Sequence, residues 1–197
     1  MCSGFFNLNL IAATLLVGIA VRLLDDYIDR QQDELLGKAT SWHYLQGASL
    51  IYAMVSLALG IRLDPAWGAA LFFAAYGIGM ASDPNSMLPS HLSGGLEFLL
   101  ASLLAISVGG WSLGLAALSL MLGIDIIDDC LDLAQESQVV SVQNWASLYG
   151  RGPALFLGLL AILSSISLAW QQALWGAIWG GVFLIFSWLR EGRGKCY

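Results

Sequence analysis

Seven stretches of the chain, each 17 to 20 residues long, contain at most one charged residue. They lie at 5–24, 43–61, 66–82, 93–109, 111–127, 152–169 and 171–189. A transmembrane helix needs about 20 apolar residues, so these runs predict about seven membrane-spanning helices, several of them near the lower length limit. The sequence therefore favours an all-α, polytopic membrane protein whose helices surround a central cavity.

The composition agrees with a lipid environment. Of the 197 residues, 58% are hydrophobic and 11% are charged, and the mean hydropathy is +0.73. A soluble globular protein carries about 25% charged residues. The first residues, MCSGFFNLNL, lack the positive region of a secretory signal, so the run at 5–24 is expected to be a retained transmembrane helix.

The breaks between the apolar runs carry turn-forming residues. RLDP separates the second and third runs, SDPNSMLPSH the third and fourth, and GGWS the fourth and fifth. WQQALW is expected to make a tight turn between the last two, with tryptophans suited to a membrane interface. No internal repeat is evident beyond the acidic clusters described below, so we predict a single domain over 1–197.

The basic residues are unevenly distributed between the two sides of the predicted bundle. With seven crossings, only Arg62 falls on the side of the N-terminus. The opposite side holds Arg22, Arg30, Lys38, Arg151, Arg190, Arg193 and Lys195. The positive-inside rule assigns that side, with the C-terminus, to the cytoplasm. We therefore predict an integral protein of the cytoplasmic membrane.

Ten of the fourteen acidic residues lie in two windows, 25–34 and 125–136, which both fall on the predicted cytoplasmic side. On a helix, Asp26, Asp29 and Asp33 lie within about 60° of one another, with Asp25 adjacent. The second cluster occupies an arc of roughly 100° and consists of Asp125, Asp128, Asp129, Asp132 and Glu136. Stacked like charges destabilise a helix and are costly near lipid, so both clusters call for a compensating cation.

Acids at the ends of apolar helices indicate a substrate with a diphosphate head and an apolar tail. Carboxylates select hard cations, and Mg²⁺ is typically held by one or two carboxylates together with substrate phosphates. Mg²⁺ makes diphosphate a good leaving group. The carbocation left by an allylic diphosphate would be sheltered by aromatic rings through cation–π attraction. Tyr27 and Trp145 are the aromatic residues expected nearest to this chemistry.

Both acidic motifs resemble those of the UbiA superfamily of intramembrane prenyltransferases. DDYIDRQQD at 25–33 is similar to the family's NDxxDxxxD, and DIIDDCLD at 125–132, four predicted helices later, is similar to its DxxDxxxD. SVQNWASLYG at 141–150 resembles the family's GVKSTAxxxG, with Ala146 and Gly150 in register. Asp25 stands where the family usually has Asn, and Gln143 and Asn144 replace Lys and Ser or Thr. The chain looks like a shortened member.

The resemblance implies that the motif carboxylates bind Mg²⁺ and a prenyl diphosphate, whose prenyl group passes to an aromatic or lipid acceptor. The candidate metal ligands are Asp25, Asp26, Asp29, Asp33, Asp125, Asp128, Asp129 and Asp132. The candidate catalytic residues among them are Asp26, Asp29, Asp128 and Asp132. The candidate substrate-binding residues are Tyr27, Arg30, Lys38 and Arg151. The expected partners are the prenyl diphosphate, an unidentified acceptor and the lipid bilayer, with no nucleic acid.

Two other functions stay open. A UbiA-type terpene cyclase would need no acceptor, and DDYID also fits the DDxxD motif of class I terpene synthases. A divalent-cation transporter or binding protein could use the same acids to line a cation path. Of all the acids, only Glu97 lies in the interior of a predicted span, whereas a conduction path needs polar groups at that depth.

Overall fold

The computed structural model describes residues 7–28, 30, 42–81, 84–85, 87, 90–135 and 144–194. Within these ranges every long element is an α-helix, as the apolar runs predict. The long helices are α1 (Leu8–Ile28), α3 (Ala48–Leu63), α4 (Pro65–Ala81), α5 (Gly94–Gln135), α7 (Arg151–Leu168) and α8 (Trp170–Gly194). Two short helices precede α3 and α7, namely α2 (Trp42–Leu45) and α6 (Trp145–Tyr149).

Helix α5 consists of two segments that meet at Gly110. This residue has φ 73° and ψ 173°, a conformation that residues with a side chain rarely adopt. The chain folds back here. The close approach of the two segments shows this, since a Cβ atom at Gly114 would lie 2.6 Å from Cα of Ile106 in the preceding segment. Residues 94–109 and 111–135 therefore form an antiparallel hairpin, and the break predicted at GGWS is confirmed.

The connection between α3 and α4 is a single residue, Asp64. Its Oδ1 accepts a hydrogen bond from Trp67 N at 3.1 Å. A side-chain acceptor at this position caps the first turn of a helix, where backbone N–H groups have no partner within the helix. The break predicted at RLDP is confirmed.

The reversal between α7 and α8 lies at Ala169, which has φ −149° and ψ 73°. Residues 170–175 already belong to α8. The turn predicted within WQQALW was therefore placed too late in the chain, since it lies just before this segment. Ser112 Oγ, at the start of the second α5 segment, donates a hydrogen bond to Leu168 O at 2.6 Å. This bond satisfies a carbonyl at the end of α7, directly before the single residue at which the chain reverses.

Close contacts between helices define their directions. Segment 94–109 runs antiparallel to α4, α7 runs antiparallel to segment 111–135, and α8 runs parallel to that segment. The residue pairs that define these directions are Gly77 and Ala101, Gly109 and Ala70, Gly123 and Ile162, Ser165 and Ala116, Gly176 and Leu120, and Gly180 and Ile124. Gly18 contacts Phe183 and Arg22 contacts Ser187, so α1 also runs parallel to α8.

The C-terminal ends of α1, α4, α5 and α8 thus lie together, at what we call the acidic end of the bundle. The turns at Asp64, Gly110 and Ala169 lie at the opposite end. In the core near that opposite end, Trp67 Nε1 donates to Thr14 Oγ1 at 3.0 Å. Both side chains are buried, and their hydrogen bond ties α4 to α1.

Large apolar side chains cover much of the outer surface. Phe156, Leu163 and Phe186 are 63%, 60% and 71% exposed, whereas soluble monomers rarely expose large contiguous apolar patches. Four helices in the described residues are long and apolar enough to cross a membrane: Leu8–Ile28, Gly94–Leu131, Arg151–Leu168 and Trp170–Leu189. These helices and the apolar exterior suggest a membrane protein.

We expect Gly114→Ala to destabilise the protein because the new methyl group would force the two α5 segments apart. Overpacking of this kind costs about 1–3 kcal/mol. Gly181→Ala on α8 is the matched control, since a Cβ atom there meets nothing within 4 Å. Thermal unfolding in detergent micelles measures both variants. Equal melting temperatures would contradict the tight contact at the hairpin.

Candidate functional site

A cavity of about 210 Å³ lies between α1, α4, α5 and α8. Apolar side chains such as Val17, Leu71 and Leu120 form much of its wall. At the acidic end, the wall includes Asp25 from α1 together with Asp125 and Asp128 from α5. Both acidic clusters, 100 positions apart in sequence, therefore contribute carboxylates to one cavity.

Helical spacing explains why these acids line the cavity. Residues three and four apart return to the same face of a helix. The wall residues of α1 follow this spacing and are Thr14, Val17, Gly18, Val21, Arg22 and Asp25. Those of α5 do the same and are Leu120, Met121, Ile124, Asp125 and Asp128. On both helices the carboxylates are the last members of a mainly apolar stripe.

The carboxylates at the acidic end of the cavity are hard oxygen ligands of the kind that Mg²⁺ prefers. Asp125 and Asp128 are one helical turn apart and share the wall with Asp25. Among the described side chains, no three of His, Cys, Asp or Glu are grouped so that they could hold a metal ion by themselves. Because Mg²⁺ usually keeps water and substrate phosphates among its ligands, the donor set fits a site that a phosphorylated substrate completes.

Arg22 lines the cavity, although its position in the sequence predicted only a role in membrane orientation. Its Nη1 lies 3.7 Å from Asp25 Oδ2, and its Nε lies 3.6 Å from Oδ1 of the buried Asp26. It also donates to Ser187 Oγ at 3.0 Å. The available signal was its position as the one charge in an apolar run, three and four residues before two acids.

Asp129, a predicted metal ligand, contacts α6. Its Oδ2 accepts a hydrogen bond from Trp145 N at 2.7 Å, and its carbonyl oxygen accepts one from Asn144 Nδ2 at 3.2 Å. Asn144 in turn caps α6, since its Oδ1 accepts from the backbone N–H groups of Ala146 and Ser147. Asp129 therefore anchors the Asn144–Tyr149 turn to the second acidic motif.

The structure explains two small residues, Ala146 and Gly150, in the segment that resembles GVKSTAxxxG. Ala146 is buried against Ile126, Cys130 and Ala154, where a longer side chain would not fit. Gly150 has φ 84° and ψ 149°, a backbone conformation that favours glycine. It separates α6 from α7 and allows the chain to turn between them.

The predicted substrate-binding residues in the described part of the chain lie at the acidic end. Arg30 Nη1 donates to Tyr27 O at 2.7 Å, and its guanidinium carbon lies 4.5 Å above the centre of the Tyr27 ring. Arg151 is exposed at the start of α7, and Trp145 stacks on Tyr149. Four candidates lie outside the described residues or have side chains that do: Asp29, Asp33, Lys38 and Asp132.

Two aromatic residues that the sequence analysis did not select, Trp179 and Phe183 of α8, line the cavity. The buried Glu97 is held elsewhere, where its carboxylate accepts hydrogen bonds from Tyr76 Oη and Ser90 Oγ. The bond from Tyr76 connects α4 to the first segment of α5, and the bond from Ser90 connects that segment to the residues that precede it. Glu97 thus has a structural role in joining these helices.

Comparison of the chain with sequence models of known protein families, with characterised proteins and with solved structures found no match. The resemblance to the UbiA superfamily rests on the two acidic motifs, on the number of helices between them and on the segment at 141–150. The shared cavity is a separate observation, since it comes from the packing of α1 and α5 against α4 and α8.

We expect Asp129→Ala to destabilise the protein because Trp145 N–H would lose its acceptor. A hydrogen bond to a charged group contributes about 1.5–3 kcal/mol. Asp129→Asn retains a carbonyl oxygen as acceptor and should lose less. Chemical unfolding of the two variants and the unaltered protein in detergent tests the order. Equal stability of all three would show that this contact does not anchor α6.

Proposed function

We propose that the protein is a Mg²⁺-dependent membrane enzyme that ionises a prenyl diphosphate and transfers the prenyl group to an aromatic or lipid acceptor. The observation that best supports this is the meeting of Asp25, Asp125 and Asp128 at the acidic end of a largely apolar cavity. A diphosphate needs cationic neutralisation, whereas an isoprenoid chain needs an apolar wall. The cavity offers both environments in one continuous space.

In the proposed membrane setting, seven helical segments cross the bilayer and the acidic end faces the cytoplasm. Arg22, Arg30 and Arg151 lie at the acidic end, whereas Arg62 lies at the end of α3 near the opposite turns. This distribution agrees with the positive-inside rule. A prenyl diphosphate would then enter with its head at the cytoplasmic surface and its chain directed toward the bilayer interior.

The diphosphate would lie at the acidic end of the cavity, where Asp25, Asp125 and Asp128 are the described residues that would hold Mg²⁺. Bound Mg²⁺ supplies neutralisation of the charge that develops on the departing oxygens. Arg22 adds a permanent cation beside Asp25, and its planar guanidinium suits phosphate oxygens. From Thr14 to Asp25 the wall of α1 rises about 16 Å at 1.5 Å per residue, which leaves a mainly apolar depth for the chain.

In the reaction, the bond between the allylic carbon and the ester oxygen breaks, and both electrons leave with the diphosphate. The resulting carbocation would lie beside Trp179 and Phe183, whose ring faces attract cations. Apolar neighbours such as Leu120 keep water away from it. An electron pair of the acceptor then forms the new carbon bond, and the acceptor releases a proton.

Cyclisation without an acceptor is the second candidate, and the cavity volume favours it. A cavity of about 210 Å³ is smaller than the ~300–1,000 Å³ common for ligand pockets. One folded isoprenoid fills such a space more readily than two substrates do. Against a cation carrier, the wall beyond the acids consists mostly of apolar side chains, whereas a conduction path needs polar groups at mid-membrane depth.

We expect Asp128→Asn and Asp29→Asn to abolish release of diphosphate from geranyl, farnesyl or geranylgeranyl diphosphate in the presence of Mg²⁺, because each removes a metal-binding charge. Asp64→Asn is the matched control. It lies at the opposite end and keeps the oxygen that caps α4. Full activity of both the Asp128 and Asp29 variants would contradict the assignment of the site.

The same assay separates the candidates by their products, identified by mass. A cyclic hydrocarbon or alcohol formed without acceptor indicates a cyclase. Turnover only after an aromatic or lipid acceptor is added indicates a transferase. A cation carrier would bind Mg²⁺ equally well without prenyl diphosphate, whereas the proposed site should bind it more tightly with one.

We expect Gly79→Leu to block the cavity without disturbing the fold. Gly79 lines the cavity, and a Cβ atom there meets nothing within 4 Å, so the leucine would extend into open space. Turnover should fall by at least about tenfold, equivalent to ~1.4 kcal/mol. The loss should be largest for geranylgeranyl diphosphate and smallest for geranyl diphosphate.

Gly181→Leu is the control for this change, because Gly181 also has no Cβ neighbour within 4 Å and does not line the cavity. Both variants should melt at similar temperatures. If they retain equal activity on all three substrates, the chain does not occupy this cavity.

A further inference from the structure

The cavity closes at the end that lies away from its carboxylates. The lining residues farthest from the acidic end are Thr14 on α1, Leu71 on α4, Leu120 on α5 and Gly176 on α8. The side chains of Thr14 and Leu120 are fully buried. Leu120 reaches across to α8, because a Cβ atom at Gly176 would overlap Leu120 Cδ2. We call these four residues the floor of the cavity.

The indole of Trp67 fills the space directly beneath this floor. Its Nε1 donates a hydrogen bond to Thr14 Oγ1 at 3.0 Å, and its Cζ2 would lie 3.7 Å from a Cβ atom at Gly176. One flat ring therefore reaches from α1 to α8, one helical turn below Leu71 of its own helix. Trp67 is fully buried, and it cannot turn aside without losing its hydrogen bond. The floor thus rests on a fixed side chain.

The distance from the carboxylates to the floor determines the room for a substrate chain. Leu120 precedes Asp125 by five residues and Asp128 by eight on the same helix, which is about 8 Å and 12 Å along the helix axis. A fully extended chain spans up to ~3.6 Å per three bonds. On this scale a geranyl chain measures about 9 Å, a farnesyl chain about 13 Å and a geranylgeranyl chain about 18 Å. The two shorter chains match the depth, whereas the longest exceeds it by roughly one isoprene unit.

We propose that the floor formed by Leu120 over Trp67 limits the substrate to prenyl chains of about farnesyl length. This rests on the proposed function, because it requires the diphosphate to be held at Asp125 and Asp128, and it deepens that function by naming the substrate class. A geranylgeranyl chain would have to fold back within a cavity of about 210 Å³ or displace buried side chains of the floor. Displacement is unfavourable, because protein interiors are close-packed.

The unaltered protein provides the first test. Purified protein in detergent is supplied with Mg²⁺ and with geranyl, farnesyl or geranylgeranyl diphosphate, and kcat/KM for diphosphate release is measured for each. We expect the value for farnesyl diphosphate to exceed that for geranylgeranyl diphosphate by about tenfold or more, since a misfit of one methylene group in an apolar pocket costs roughly 10–200-fold. Equal values would overturn the proposal, and this comparison does not depend on how any variant folds.

Two variants should move the floor in opposite directions. Leu120→Ala lowers it, so the ratio of kcat/KM for geranylgeranyl to farnesyl diphosphate should rise by about tenfold. Gly176→Ala raises it, because the new methyl group displaces Leu120 Cδ2 toward the cavity, away from the space that Trp67 fills. The ratio should then fall. General destabilisation of the protein would not shift the ratio upward in one variant and downward in the other.

Each variant has a matched control. Leu115→Ala makes the same change on an exposed part of the same α5 segment, and Leu115 does not line the cavity. Gly181→Ala adds a methyl group on α8 where a Cβ atom meets nothing within 4 Å. Both controls should retain the ratio of the unaltered protein. An unchanged ratio in folded Leu120→Ala and Gly176→Ala would contradict the role of the floor.

Binding of the same diphosphates, measured by calorimetric titration with Mg²⁺, separates this proposal from the proposed function. Release of diphosphate without a preference for chain length overturns the floor and leaves the function standing. Binding that prefers farnesyl diphosphate, without any release, overturns the reaction and leaves the floor standing. If none of the three diphosphates binds, both proposals fail.

Discussion

Carboxylates of like charge beside an apolar cavity are unfavourable, because each loses hydration and repels the others. Asp25, Asp125 and Asp128 share such a wall. Arg22 compensates in part, with contacts of 3.7 Å to Asp25 and 3.6 Å to Asp26. The described lining still carries three carboxylates against one guanidinium. A bound cation would balance this charge, and a diphosphate would then balance the cation.

These carboxylates meet only because the helices that carry them run in the same direction. The segments that follow α1 alternate in direction, so DIIDDCLD reaches the acidic end only because the chain reverses at Gly110. A continuous helix from 94 to 135 would carry the second motif away from the first. Gly110 permits the reversal through its positive φ of 73°, and Gly114 permits the close approach that follows. Two glycines far from the acids therefore determine that the acids share one cavity.

The sequence predicted the helices, the breaks at Asp64 and Gly110 and the cavity carboxylates Asp125 and Asp128, because spacing and charge report on helix length and on helix face. It did not show that Asp128 lines the cavity whereas Asp129 contacts α6. A helical projection gives the angle of a side chain but does not identify the neighbouring element at that angle, which for Asp129 is Trp145 N. Trp179 was missed for a related reason, since an aromatic residue in an apolar helix looks alike whether it faces lipid or a cavity.

The apolar lining of the cavity below the carboxylates bears on the outcome of the proposed reaction. A buried water molecule typically needs two to four polar partners. At the level of Trp179 the wall consists of apolar side chains such as Ile124, Phe183 and Leu120, and Thr14 Oγ1 is occupied by Trp67. Water entering at this depth would capture the carbocation as an alcohol, so the scarcity of polar partners favours transfer or cyclisation over hydrolysis.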